Sequence, residues 1–228
     1  MISPARLAAH FAAMEQITAE NDKPGIFRLA FTDSDWEGRS LLMRWMEEAG
    51  LSLRTDAFGN VIGRRPGRDD TLPAVMFGSH ADSVPGGGNF DGVFGILATI
   101  EVMTSLQEDG CICDHPLEAA LFMCEESSRF GAATLGSRAM CGELSVDDLH
   151  LLKDGDGTSL YEVLKERGLD PQHINDAACT TPKKAFFEVH IEQGKVLETT
   201  HTSIGVVTGI AAPTRLHIRQ LPDRKSVV

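Results

Sequence analysis

No stretch of this 228-residue chain approaches the roughly 18 apolar residues that a membrane span requires. Met1 to Ala13 lacks a basic start followed by an apolar run, so no secretory leader is read and a cytoplasmic location is expected. Basic side chains are in deficit, 21 against 33 acidic, for a formal charge of −12. They form no stripe that could follow a phosphate backbone, which excludes nucleic acid as an expected partner. Paired cysteine spacing is also missing. Cys111, Cys113, Cys124, Cys141 and Cys179 are odd in number and contain no C-x-x-C, which argues against a disulfide framework and a structural zinc knot and for reduced thiols. Internal repeats, low-complexity tracts and long linkers are absent. What remains is an ordinary 42% apolar content, in a length sufficient for one sizeable α/β domain or one domain plus the start of another.

The local patterns alternate. Ser3-Pro4 followed by Leu7, Ala8, Phe11 and Met14 predicts an amphipathic helix. A second helix is predicted from Ser34, with Glu37 as capping partner and Leu41, Leu42, Trp45 and Met46 inward, to Gly50. Leu51–Phe58 and Val61–Arg65 around Gly59-Asn60 read as a hairpin. Ala74–Gly78 reads as a strand, Gly92–Leu106 as a helix, and Leu117–Cys124 and Phe186–Ile191 as further strands. A helix is expected near Ser159–Arg167, a short one after Pro171, and strands at Thr202–Thr208 and from Arg215. Strands alternating with helices imply an α/β sheet covered on both faces, where ligands gather at strand ends.

Three predicted strand ends carry chemistry: His80 with Asp82 and Asp91, Glu125 with Glu126, and His190. Singly, each has an ordinary explanation. A lone strand-end histidine is commonly a hydrogen-bonded structural residue, Asp91 could cap a helix, Asp82 could cap a loop, and adjacent acids are usually just solvated. Together they supply the imidazole and carboxylate donors that a pair of divalent ions needs. Gly86–Gly88 is no phosphate cradle, since no lysine follows and G-x-G-x-x-G spacing is absent; a tight backbone approach to the metal site fits better. Cys124 ends an apolar strand without a basic partner and reads as inert. Gln193 and Arg215 could contact substrate, the arginine by a bidentate grip on a carboxylate, or serve simply as surface residues.

The segments GSHADSVP (78–85) and GGGNFDG (86–92) resemble the first metal motif of the M20 metallopeptidase clan. EESSRFG (125–131) and EVHIEQG (188–194) resemble its N-carbamoyl-L-amino-acid hydrolase and allantoate amidohydrolase branch, the hydantoinase/carbamoylase group. The resemblance implies a zinc-peptidase-like α/β/α sandwich with a mixed central sheet. It implies a metal-dependent amidohydrolase that cleaves the C–N bond of N-carbamoyl amino acids or allantoate-like ureido acids. By it, His80 and His190 are similar to ligands of one ion, Glu126 to a ligand of the other, and Asp91 to the carboxylate bridging both. Glu125 is similar to the general base, and Asp82 to the acid that fixes the tautomer of His80. Two divalent ions follow, zinc by default with manganese, cobalt or nickel as alternatives. The partners implied are a small ureido or amide substrate and, for the full-length form, a second subunit in a homodimer.

The resemblance assigns residues 1–212 to the catalytic domain and 213–228 to the start of a lid and dimerisation domain. After Ile218 the strand-and-glycine pattern is lost, so a truncated or artefactual end is expected, together with loss of a last ligand histidine. Neither His201 nor His217 stands in a matching motif. The chain alone is therefore expected to be inactive and poorly soluble. The alternatives are a clan aminopeptidase or deacylase, and a metal-binding or interaction module without catalysis.

Overall fold

The computed structural model describes residues 1–210 and divides the chain into two compact units, Met1–Ile191 and Glu192–Val228. The expected boundary at 212, Arg215, and the strand expected from it lie outside the described residues.

In the first unit, helix α1 (Pro4–Glu15) begins as the sequence indicates. Ser3 Oγ accepts from Arg6 N–H at 3.2 Å and Pro4 fills the first turn, where its missing N–H costs nothing. Helix α2 (Asp33–Glu48) starts earlier than expected. Its cap is Thr32 rather than Ser34, and the acid that turns back is Asp35, which accepts from Phe31 N–H at 2.7 Å; Glu37 has no capping role. Phe31 takes a left-handed conformation, φ 62°, just before this cap, which lies two residues upstream of the expected one. Leu42 and Met46 are buried, while Leu41 and Trp45 are only partly so.

Strands β1 (Ser52–Thr55) and β2 (Val61–Arg65) form the expected antiparallel hairpin. β3 (Ala74–His80) leads into α3 (Val93–Glu108), and β4 (Leu117–Phe122) follows. The helices α4 (Leu135–Met140) and α5 (Val146–Leu151) were not legible beforehand; each is six residues long, too short to show a helical period. α6 (Leu160–Glu166) starts from a Ser159 capping box, and a 3₁₀ turn runs from Pro171 to Ala177. β5 spans Lys183–Phe187, three residues earlier than the strand expected at Phe186–Ile191. Its ladder with β3 ends at the Phe77–Phe187 pair. Beyond it the Ser79 hydroxyl is bonded to Glu188, and α3 presses against the chain at Val189, so pairing stops.

The sheet has the order β1-β2-β4-β3-β5, antiparallel through β2/β4 and parallel in β4/β3 and β3/β5, hence mixed. Alternation sends Val61, Leu117, Ala119 and Leu121 toward α1, α2 and α3, in a core that also holds Leu42, Ile96, Leu97 and Ile100. Ile62, Met76 and Ala120 point to the opposite face, against Met140. A second core of α4, α5, α6 and the 3₁₀ turn gathers around Phe31, Phe58, Met123 and Cys124. Among the described residues no helix is long and apolar enough to cross a membrane.

In the second unit, α7 (Val196–Thr200) takes a cap from Glu192, whose carboxylate accepts from Val196 and Leu197 N–H at 2.9 and 2.8 Å. The strand expected at Thr202–Thr208 does not form. Ile204, Val206 and Val207 are exposed and have no ladder partner among the described residues, without which a β-run is not stable.

Asn60 shows how the hairpin turn is fixed to the rest of the fold. Fully buried, it donates to Asp56 and to the Gly136 carbonyl at 2.8 and 2.9 Å, and accepts from Met123 N–H at 2.9 Å. Asn60→Ala would strand two buried main-chain groups, and denaturant unfolding should show a loss of about 3 kcal/mol. A loss below about 1 kcal/mol would mean the three bonds do not hold the turn.

Candidate metal centre

The parallel strands end side by side, and the candidate groups emerge from those ends. His80 is the last residue of β3, with its side chain buried. Its Nδ1 lies 2.9 Å from the main-chain carbonyl of Asp82 and 3.5 Å from that residue's Oδ1, so the carbonyl is the better acceptor for the ring N–H. Nε2 is thereby turned toward Glu125, whose Oε2 is 3.6 Å away. Gly92 makes room for this ring: a Cβ there would sit 2.5 Å from His80, and its φ of 66° with ψ of −52° is a conformation that side chains rarely adopt.

After β4 the chain turns sharply. Cys124 adopts φ 55°, which directs Glu125 and Glu126 back toward β3. The Asp82 carboxylate then accepts from the N–H groups of both, at 3.2 and 3.0 Å. The main chain of Asp82 thus makes the closer contact with the histidine, while its carboxylate lies beside the ring and holds the second loop. The Cys124 thiol is buried, which pushes its pKa well up and leaves it inert as a nucleophile.

His190 lies three residues past the end of β5. Its Nδ1 is 2.6 Å from the Ile191 carbonyl, and its Nε2 is 3.2 Å from Oδ1 of Asp91. The two histidines therefore share one design. Each has Nδ1 held by a nearby main-chain carbonyl, and each presents Nε2 to a carboxylate. Gln193 belongs to the second unit.

The electrostatics match this geometry. Burial works against a charged His80, but the hydrogen bond to Asp82 and the charges of Asp82 and Glu125 prevail and raise its pKa to about 10. Burial would likewise raise Asp82; His80 and the two amides outweigh it and hold the carboxyl below its ordinary value. Glu125 and Glu126 are both pushed up, first by burial and then by neighbouring acids that include Asp91, with His80 opposing.

Among the described residues no three His, Cys, Asp or Glu side chains converge into a finished ion-binding group. The structure brings together two pairs, His80 with Glu125 and His190 with Asp91. The donor chemistry nonetheless suits divalent ions. With Nδ1 donating, a neutral imidazole turns a lone pair toward a carboxylate, and two acceptors face each other stably only with a proton or a cation between them. The 3.2 Å from His190 to Asp91 is close to the roughly 3.3 Å that separates two ligands of a tetrahedral ion bound at about 2.0–2.1 Å.

A family model of peptidase family M20/M25/M40 matches residues 76–227, which include all of these groups. The chain belongs to that family. It is 42% identical over 221 residues to an N-carbamoyl-L-amino-acid amidohydrolase of Pseudomonas sp. (strain NS671), covering 96% of this chain and 53% of that protein. A ureidoglycolate hydrolase of Arabidopsis thaliana is 40% identical, over 86% of this chain and 42% of its own. The crystal structure of a hydantoinase/carbamoylase family amidase from Burkholderia ambifaria superposes with a TM-score of 0.79 at 41% identity, covering 91% of this chain and 50% of that one. These relatives lie in the branch that the 125–131 and 188–194 motifs indicated, and the fold matches that of the Burkholderia amidase. The chain spans about half the length of the curated relatives it matches.

Arg28 and Arg39, which donate to main-chain carbonyls at Ala81 and at Leu121 and Phe122, carried no sequence signal, because main-chain acceptors leave no motif. With His80 raised to about 10, its Nε2 is protonated near neutral pH, and an ion taking that nitrogen must displace the proton. Zinc binding near pH 7 is therefore expected to release about one proton per His80 site. Its affinity should rise with pH until the pKa of about 10 is passed. Calorimetry in buffers of different ionisation enthalpy reads the proton directly, and buffer-independent heats would overturn the assignment of His80 as a ligand.

Proposed function

We propose that this chain carries the metal-binding and proton-transfer part of an amidohydrolase acting on the ureido or amide C–N bond of small N-carbamoyl acids. One observation carries the reading: two tautomer-fixed histidines each present Nε2 to a carboxylate at adjacent strand ends, with Glu125 beside the buried one. The names of the relatives, an N-carbamoyl-L-amino-acid amidohydrolase and a ureidoglycolate hydrolase, support the substrate class.

His80, Asp91, Glu126 and His190 would hold two divalent ions, with Asp91 shared between them; zinc is the default, and manganese, cobalt or nickel suit the same donors. Such ions, when bound, lower the pKa of water and polarise a carbonyl. Glu125 takes the proton from the attacking water and delivers it to the departing nitrogen. Its raised pKa suits both roles, because a carboxylate closer to neutrality gives the proton back more readily. Water adds to the ureido carbon, the C–N bond breaks, and ammonia leaves. The carbamate that remains decomposes to carbon dioxide and the amine. Asp82 takes no part in this transfer: with both oxygens on the Glu125 and Glu126 amides, it fixes where Glu125 stands. The five free thiols support a reducing compartment, and the homodimer belongs to this reading of the longer form.

The test is ammonia release by the complete gene product from N-carbamoyl amino acids, ureidoglycolate and allantoate. Cleavage of peptides or N-acyl amino acids alone would overturn the ureido assignment. Glu125→Gln should lower kcat by about 10²–10⁴ while leaving zinc binding within a few-fold. The acid limb that Glu125 gives to kcat/KM is expected to vanish in the glutamine variant.

A further inference from the structure

The segment from Ile26 to Arg39, which runs from the connection after α1 into the first turns of α2, lies outside every chemical motif, yet it reaches both ligand-bearing loops. Ile26 and Gly87 exchange main-chain bonds, with Ile26 N–H donating at 2.9 Å and Gly87 N–H at 3.0 Å. Arg28 N–H donates to Ser83 Oγ at 3.1 Å, and its carbonyl accepts from Ser83 N–H at 2.9 Å. The Arg28 guanidinium, 1% exposed, donates to the Ala81 carbonyl at 3.1 Å, and to those of Ile17 and Met14 at the end of α1. Ala81 sits between His80 and Asp82.

Arg39, 4% exposed on α2, does the same for the neighbouring strand. It donates to Phe122 and Leu121 carbonyls at 3.1 and 3.4 Å and to the Gly59 carbonyl. Phe122 closes β4, three residues before Glu125. Asp35 is fully buried nearby; burial lowers the pKa of both arginines, and the negative charges of Asp35 and Asp82 oppose that fall. Arg129, in the second loop, reaches back to the Ala30 carbonyl at 2.7 Å.

A buried guanidinium is a costly way to satisfy a carbonyl, since burying the charge costs several kcal/mol unless opposite charge compensates it. A planar fork can, however, grip several carbonyls at once in fixed directions, which a lysine or a neutral donor cannot. We infer that Arg28 and Arg39 are positioning residues that clamp the ends of β3 and β4, so that His80 and the Glu125–Glu126 turn face one another at a set spacing. The inference rests on the reading of these groups as ligands and base.

The test compares Arg28→Lys, Arg39→Lys and the corresponding methionine variants with Leu42→Ala, a core truncation on α2 that removes no hydrogen-bonding group. Two quantities are read in the whole chain: amide hydrogen exchange at Glu125, Glu126, Ser83 and Gly87, and affinity for zinc alone. The clamp predicts a selective loss of protection at those amides, beyond any global change. It also predicts zinc affinity lower by roughly 10- to 100-fold, with lysine restoring little of it and Leu42→Ala sparing it at matched stability. Loss that is uniform along the chain, or equal in the Leu42 control, overturns it. The lysine variants keep the comparison decisive should the methionine variants fail to fold. If the parent chain binds no zinc, the ligand reading fails, while the exchange pattern still decides the clamp.

Discussion

The site depends on one buried carboxylate. Asp82 leaves β3 just after His80, and its two oxygens take the amides of Glu125 and Glu126 at the end of β4. A carboxylate in that position turns the main chain of the second loop into a fixed object, so the acidic side chains it bears are held near His80 despite mutual repulsion. The same residue's carbonyl takes the Nδ1 proton of His80. Replacing its side chain would release the second loop, while the main-chain carbonyl would still meet His80 Nδ1.

That repulsion, and the attraction of His80 for the acids, bears on the ionisation of these groups. Glu125 and Glu126 are raised by burial and by each other's neighbours, His80 is raised by the acids around it, and Asp82 alone is lowered. A half-buried cluster of this kind is destabilised by its own charge and relieved by a proton or a cation. It is therefore a receptor for positive charge before any particular reaction is considered. The two arginines beneath it sit at the strand ends through carbonyl bonds, where guanidinium groups reinforce the frame without occupying the mouth of the site.

Much of the fold was legible because its signals are local. The Ser3-Pro4 start of α1, the hairpin around Gly59-Asn60, the β3–α3 and β4 runs and the Ser159 cap each depend on neighbours in sequence. The misjudged elements depend on distant partners. The cap of α2 follows the left-handed Phe31, β5 ends where α3 blocks further pairing, and 202–208 lacks a strand to pair with. α4 and α5 are too short to carry a period.

By itself, the sequence determined the kinds of donor, their order and their attachment to strand ends, because residue type and apolar patterning are properties of neighbours along the chain. Only the tertiary structure decided which nitrogen each histidine presents, which carboxylate it meets, and that the Asp82 carboxylate grips two amides beside the His80 ring. Those outcomes rest on hydrogen bonds to main-chain carbonyls and N–H groups. Every residue carries such groups, so no choice of side chain in the sequence can announce which of them will be used.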